Sequence, residues 1–370
     1  MMSVGWDQVF AWRLARQFLT DPAAGSATEI AERSAGIQAQ VASAADIAVA
    51  VRSRVARPNA VTEALAAGTL VKTWAMRGTL HAMPPAQAAA ALALIGSART
   101  WEKPAWRKTF GATPDEVAAL VEAVSGILAD QVLTRAELVE AVLAQPGFAH
   151  LADQLRSGWG AVLKPLAWQG ALCHGPMRGT NVTFTTPGHL IPGWTGIPEP
   201  NSAAPTLIKA YLGAYGPATP EAFDTWLSRN NLRKTVVRGW FAELGAELTQ
   251  VDVEGRTGWI PAEFADDLAA AGLDGAIHLL GPFDQYVLGP GTGDTALLPA
   301  EHRAKVSRTA GWISPLVVVD GRIAGTWERA EDAIVLALFD GAAVPKRALA
   351  AAVDRLGAAL GETALTVRNA

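Results

Sequence analysis

Three times along this chain the same run of local signals returns: amphipathic helical segments, then two short apolar strands around a glycine-bearing turn, at an irregular spacing of roughly 80 to 100 residues. Such a chain cannot become one long helix or one flat sheet, because its hydrophobic period switches between 3.6 and 2 within each copy. In the first copy, residues 8–18, a segment starting at Thr28 and residues 61–67 have helical spacing, while 70–76 and 80–83 alternate as strands. Arg77-Gly78-Thr79 is the turn between them, with Gly78 taking backbone angles that other residues resist. The second copy opens at Thr113, a helix cap followed by Pro114 in the first helical position, with 115–128 as the body. Thr134 and Glu137 form a capping box for 135–143, residues 160–169 supply a third helix, and 172–175 and 181–185 are the strands. In the third copy the helices are 206–213, 219–227 and 233–244, and strands 248–253 and 257–260 flank the turn Glu254-Gly255-Arg256. The Pro- and Gly-rich stretch 188–205 reads as a linker.

From about Ile277 the period changes to 2. Residues 279–289 and 316–327 alternate, and Asp320-Gly321 between two apolar runs is a strong hairpin signal. A helix at about 345–360 and a last strand near 364–367 complete this part. The expected fold class is α+β, with three helix-hairpin units over residues 1–110, 111–190 and 200–265 and a β-rich domain over 275–370.

Half of the residues are apolar and 18% are charged, which excludes disorder as the main state. With 35 Gly and 22 Pro, a coiled coil is excluded as well. The single cysteine, Cys173, can form neither an intrachain disulfide nor a thiolate metal cage, which fits a reducing compartment. Asp7, Arg13 and Arg16 interrupt the apolar stretch a signal peptide needs, and the apolar run 88–95 is far shorter than the roughly 18 to 20 residues that span a bilayer. A cytoplasmic protein with no membrane partner is expected.

A net charge of −4 argues against a nonspecific coat on nucleic acid, yet the cations are clustered. Lys72, Arg77, Arg99, Lys103, Arg107 and Lys108 face one acid; Arg229, Arg233, Lys234 and Arg238 form a second cluster, and Arg303, Lys305 and Arg308 a third. A helix-helix-helix-hairpin unit of this size resembles the winged-helix variant of the helix-turn-helix, in which a helix enters a groove and the hairpin touches the backbone. Three dissimilar copies in one chain need no symmetric partner, so a monomer on double-stranded DNA is expected. Arg77 at its hairpin tip, with Arg233, Lys234 and Arg238, is expected on phosphates. Arg303, Lys305 and Arg308 are expected to reach the narrow, negative minor groove.

The segments Gly36-Ile37-Gln38-Ala39-Gln40, Met76-Arg77-Gly78-Thr79-Leu80-His81, Leu280-Gly281-Pro282-Phe283-Asp284-Gln285-Tyr286 and Val319-Asp320-Gly321-Arg322-Ile323-Ala324-Gly325-Thr326-Trp327 together resemble the winged-helix DNA glycosylases of the AlkZ type, over nearly the whole chain. The resemblance implies tandem winged helices around a concave DNA-binding face, and excision of alkylated bases, including interstrand crosslinks that azinomycin-type agents make through guanine N7. The family signature of Gln, an aliphatic residue and Gln lands on Gln38 and Gln40, with the small Ala39 between them.

A glutamine amide does not titrate near neutrality, so it cannot serve as a general base or acid. Alkylation at N7 makes guanine cationic and already a good leaving group. What remains is to hold a water near the anomeric carbon and stabilise an oxocarbenium-like sugar, which two amide oxygens aimed at one point can do. Residues i and i+2 share a face only in extended chain, so Gln38-Ala39-Gln40 is expected to be non-helical, with Gly36 ending the preceding helix. By itself His81 reads as a strand histidine with its ring nitrogens satisfied, Trp74 and Trp327 as core, and Asp284 as a structural cap.

No competing chemistry stands out. The sequence has no phosphate loop with lysine, no metal-ligand spacing among its six histidines and no Gly-x-Ser-x-Gly elbow. Gly289-Pro290-Gly291-Thr292-Gly293 reads as a flexible loop, and no cofactor or metal is expected. The alternative is a binding protein, a winged-helix transcriptional regulator whose C-terminal domain senses a ligand or dimerises.

Overall fold

The computed structural model describes residues 2–369 except 332, 340, 341, 343, 363 and 364. Helices and sheets are mixed throughout, so the expected α+β class holds. In the first unit Ser26 accepts a hydrogen bond from the Glu29 N–H and starts the helix Ala27–Arg33. Ala35 and Gly36 then take positive φ, 51° and 99°, and turn the chain into the short strand Ile37–Gln38. A side chain on Gly36 would be strained at that φ, and its Cβ would sit 2.9 Å from the Met83 side chain.

That short strand pairs with Leu80–Met83, which pairs in turn with Val71–Trp74, so Gln38 stands opposite His81 and His81 opposite Thr73. The sheet continues through Cys173–His174, Thr183–Thr185 and Leu133–Thr134, joining the hairpins of the first two units at the Lys72 to His174 register. The capping box expected at Thr134 is present, and the cap expected at Thr113 forms a second one. Thr113 and Glu116 start Pro114–Leu128, and Thr134 and Glu137 start Arg135–Leu143.

The third unit comprises helices Pro200–Tyr215, Pro220–Ser228 and Lys234–Leu244 and the hairpin Leu248–Val253 with Arg256–Pro261. An N-terminal strand, Met2–Val4, adds in parallel to this hairpin, a pairing across the length of the sequence that local periodicity does not signal. The stretch expected as a linker up to Pro205 stops at Glu199, because Pro200 and Pro205 lie inside the first turns of a helix. Pro200 suits the first helical position, where its missing N–H has no intrahelical partner.

The C-terminal sheet runs Ile277–Leu280, Leu316–Val319, Arg322–Ala330, Ala333–Leu338, Thr366–Asn369, with helix Lys346–Leu360 packed on it through Val353 and Leu356. Asp320 and Gly321 form the expected hairpin turn with φ of 47° and 73°. The last strand falls two residues beyond its expected start at Ala364, which lies outside the described residues. The alternating run 279–289 is a strand only as far as Leu280; Asp284 accepts from the Tyr286 N–H and caps a single helical turn, Gln285–Leu288. Short apolar runs do not separate a strand from a buried helical turn by period alone.

The cores tie distant segments together. One joins Met83 and Leu94 to Leu207, Tyr211 and Phe241, and another joins Phe10 and Leu14 to the C-terminal sheet. Trp74 and Trp327 are buried as expected. Arg52 and Asp284, both fully buried, form a two-pronged ion pair at 2.8 and 2.7 Å that fastens the C-terminal part to the segment following Gln40.

Candidate active site

A cleft of about 720 Å³ lies where the first hairpin, the third unit and the loop 289–294 meet. Arg13, Arg77, Arg229, Arg256 and Arg303 line it, against one carboxylate among the described residues, Asp294. Asp294 is 3.7 Å from both Arg13 and Arg256, so its charge is already answered. In a chain of net charge −4 this concentrates positive potential in one concavity, the arrangement that attracts a polyanion. Arg229, Arg256 and Arg303 are exposed at its mouth.

Gln38 lines the cleft and is 7% exposed, because the turn at Ala35 and Gly36 delivers it onto a sheet edge rather than onto a helix face. Its Oε1 is buried without a hydrogen-bond partner. The segment is non-helical, as the chemistry requires. Gln40 differs from the expectation of two converging oxygens: it is exposed, and its Oε1 accepts from the Leu80 N–H at 3.3 Å. The Ala39 N–H donates to the Leu80 carbonyl at 2.8 Å, so both bonds lock this segment against the hairpin.

Arg77 sits at the tip of its hairpin with φ 57°, but its side chain turns inward. Nη1 donates to the carbonyls of Trp226 and Leu288 at 3.2 and 3.1 Å, while Nη2 is buried without a partner. Burial, with help from Arg229, lowers its pKa to about 10, which keeps it charged at neutral pH. The other expected DNA contacts divide. Arg233 and Lys234 are exposed at the start of the helix Lys234–Leu244, whereas Arg238 is paired with Glu221 at 2.6 Å.

Arg303, Lys305 and Arg308 are exposed, yet the first two sit on a short helical turn, Arg303–Val306, rather than on an extended loop. Arg303 donates to the Thr292 hydroxyl at 3.2 Å and Lys305 lies 5.3 Å above the Phe339 ring. Arg308 opens a tight loop closed by the bridge from Ser307 to Ile313, with Trp312 41% exposed at its end.

Sequence reasoning missed Arg13, Arg229 and Arg256 as members of this site. Arg13 carried one usable signal: it falls on the apolar face of the helix Trp6–Arg16, where a cation is expected only if something holds it. Here Nε donates to the Gly216 carbonyl at 3.0 Å. Among the described residues, no group of three or more His, Cys, Asp or Glu is placed to hold a metal ion. Burial pushes the Cys173 thiol up to about 12, so it is no nucleophile.

The sequence profile of the family described as DNA glycosylase AlkZ-like matches residues 31–362. The interstrand DNA cross-link repair glycosylase of Streptomyces sahachiroi is 49% identical over 369 residues, covering 99% of this chain and 100% of that protein. The solved structure of Streptomyces sahachiroi DNA glycosylase AlkZ superposes with a TM-score of 0.97 at 49% identity over the whole of both chains. By sequence and by fold, therefore, this chain belongs to the AlkZ-like family of DNA glycosylases.

Proposed function

We propose that this enzyme hydrolyses the N-glycosidic bond of cationic N7-alkylguanines in double-stranded DNA, including those tied into interstrand crosslinks of the azinomycin type. One observation carries the reading: the cleft presents a neutral amide, Gln38, and its carboxylate, Asp294, is committed to two arginines. Ordinary glycosidic cleavage needs a general acid for the leaving group. A leaving base that already bears a positive charge does not, so a site with no free acid among its described residues suits that substrate. Gln38 holds the attacking water, and Gln40, bonded to Leu80, fixes the segment that carries it. The exposed arginines at the mouth favour an open cleft, which a base tethered to both strands requires because it cannot swing fully out of the duplex. The name of the Streptomyces relative supports the extension to crosslinks.

In this reading the units at 1–110, 111–190 and 200–265 act as winged helices around a concave face, the domain 275–370 completes it, and the protein works as a monomer in the cytoplasm. The test is incubation with N7-methylguanine DNA, then mild alkali to break the strand at abasic sites. The expected result is strand breaks absent from the protein-free control, whereas a transcriptional regulator leaves the DNA intact.

Two electrostatic outcomes follow. Replacing Arg233 and Lys234 with alanine weakens DNA binding evenly across lesions and lowers the salt slope by about 1 per phosphate contact; an unchanged slope makes them a solvated face. Replacing Arg303, Lys305 and Arg308 together lowers both lesion affinity and excision at an unchanged melting temperature. If that triple variant cuts like wild type, the segment belongs to the scaffold.

A further inference from the structure

Trp159 is 79% exposed and makes no hydrogen bond or ring contact with another described residue. An indole left in water forgoes one of the largest hydrophobic gains a side chain can make, and exposed rings of this kind are typical of binding surfaces. The loop that carries it is braced from three sides. The Gly160 N–H donates to the Ser157 carbonyl at 3.1 Å, closing a turn that holds Trp159, and the Gly160 carbonyl accepts from the Lys164 N–H at 2.9 Å. Gly160 takes φ 61°, and a Cβ there would sit 2.6 Å from the ring of Trp74, so the turn is seated directly on a buried core residue. Arg135, at the start of the helix Arg135–Leu143, donates to the Ser157 carbonyl at 3.0 Å.

The surroundings of this ring are cationic and lead to the cleft. Lys164 reaches from the second unit to the tip of the first hairpin, where a Cβ on Gly78 would lie 3.8 Å from its Nζ. Arg229, which comes from the third unit and lines the cleft, is near enough to add to the burial that lowers the pKa of Lys164, and to that which lowers the pKa of Arg77. Arg156 is exposed three residues before Trp159, with the exposed Asp153 on the same short helix. Arg156, Lys164 and Arg229 form no ion pair among the described residues. Cations drawn together from separate units repel one another, an arrangement that favours a polyanion lying across them.

We propose that Trp159 is a second DNA contact, outside the cleft: its ring packs on a nucleotide of the duplex beside the lesion, while Arg156, Lys164 and Arg229 take neighbouring phosphates. The cations select a polyanion, and the uncovered ring selects one that also offers flat apolar surfaces, as the bases and sugars of nucleic acid do. The bracing on Trp74 and Arg135 holds the loop in place before DNA arrives, so little ordering cost is left to binding. Standing apart from the bond that breaks, the ring contributes to affinity and not to the chemical step. The contact needs a DNA glycosylase but not the substrate proposed above.

The test is binding of an undamaged, end-labelled duplex, followed by fluorescence anisotropy across a range of salt. Trp159→Ala is expected to weaken binding about 5- to 100-fold at an unchanged salt slope, because the contact it loses is uncharged. Trp159→Phe should recover part of that loss, and Lys164→Ala should lower the slope by about 1. The melting curve of Trp159→Ala should match wild type, since the ring has no partner in the fold to lose. At saturating protein, its single-turnover excision of N7-methylguanine should also match. Wild-type affinity in Trp159→Ala overturns the proposal, and slower excision at saturating protein overturns the placement outside the chemistry. A wild-type dimer in sedimentation that Trp159→Ala abolishes likewise overturns it, because the ring then belongs to an interface between copies of the chain. If wild type releases no N7-methylguanine, the proposed substrate has failed, while the duplex-binding comparison still decides the role of Trp159.

Discussion

Gln38→Ala is expected to lower single-turnover excision of N7-alkylguanine by about 10- to 1000-fold, the range for losing a group that positions a reactant or stabilises developing charge. The side chain makes no hydrogen bond through Oε1 within the protein, so its removal costs the fold little and a melting curve should stay close to wild type. DNA affinity should also hold, because the cations that attract phosphate lie elsewhere on the cleft wall. Gln40→Ala is expected to fall in the same range by another route, since it frees the Leu80 N–H and loosens the segment bearing Gln38. Excision at wild-type rate in Gln38→Ala removes the catalytic assignment.

Asp284→Asn is expected to destabilise the fold by about 3 to 5 kcal/mol, measured by urea unfolding, because it leaves the guanidinium of Arg52 uncompensated in the interior. Both partners are fully buried, so solvent cannot absorb the charge. Arg52 also donates to the Ala48 carbonyl and to Gln17 Oε1, and Asp284 accepts from the Tyr286 N–H. The pair therefore orders three segments at once. An apolar pair of similar volume, Arg52→Met with Asp284→Leu, should recover much of the loss, since desolvating the two charges offsets most of their attraction. A single variant as stable as wild type shows that water reaches this pair.

Thr113 as a cap, Thr134 with Glu137, and Asp320-Gly321 were legible in the sequence because a cap or a tight turn is decided within four residues. The non-helical conformation at Gln38 was expected on another ground, that two amides at i and i+2 share a face only in extended chain, with Gly36 ending the helix before them. Helices Ala42–Ala50 and Pro85–Ser97 were missed. Both are so apolar that little polar face remains to mark the period, since they are buried on most sides.

Sequence by itself determined the α+β class, the helix caps at Thr113 and Thr134 and the turn at Asp320-Gly321, the caps and the turn being set by neighbours within a few residues. Only the tertiary structure decided that Gln38 stands opposite His81, that Arg77 turns inward onto Trp226 and Leu288, and that arginines from residue 13 to residue 303 meet around one cleft. The reason is physical. Strand register and the convergence of distant charges are fixed by which apolar faces bury against one another across more than two hundred residues, and no local signal encodes that choice.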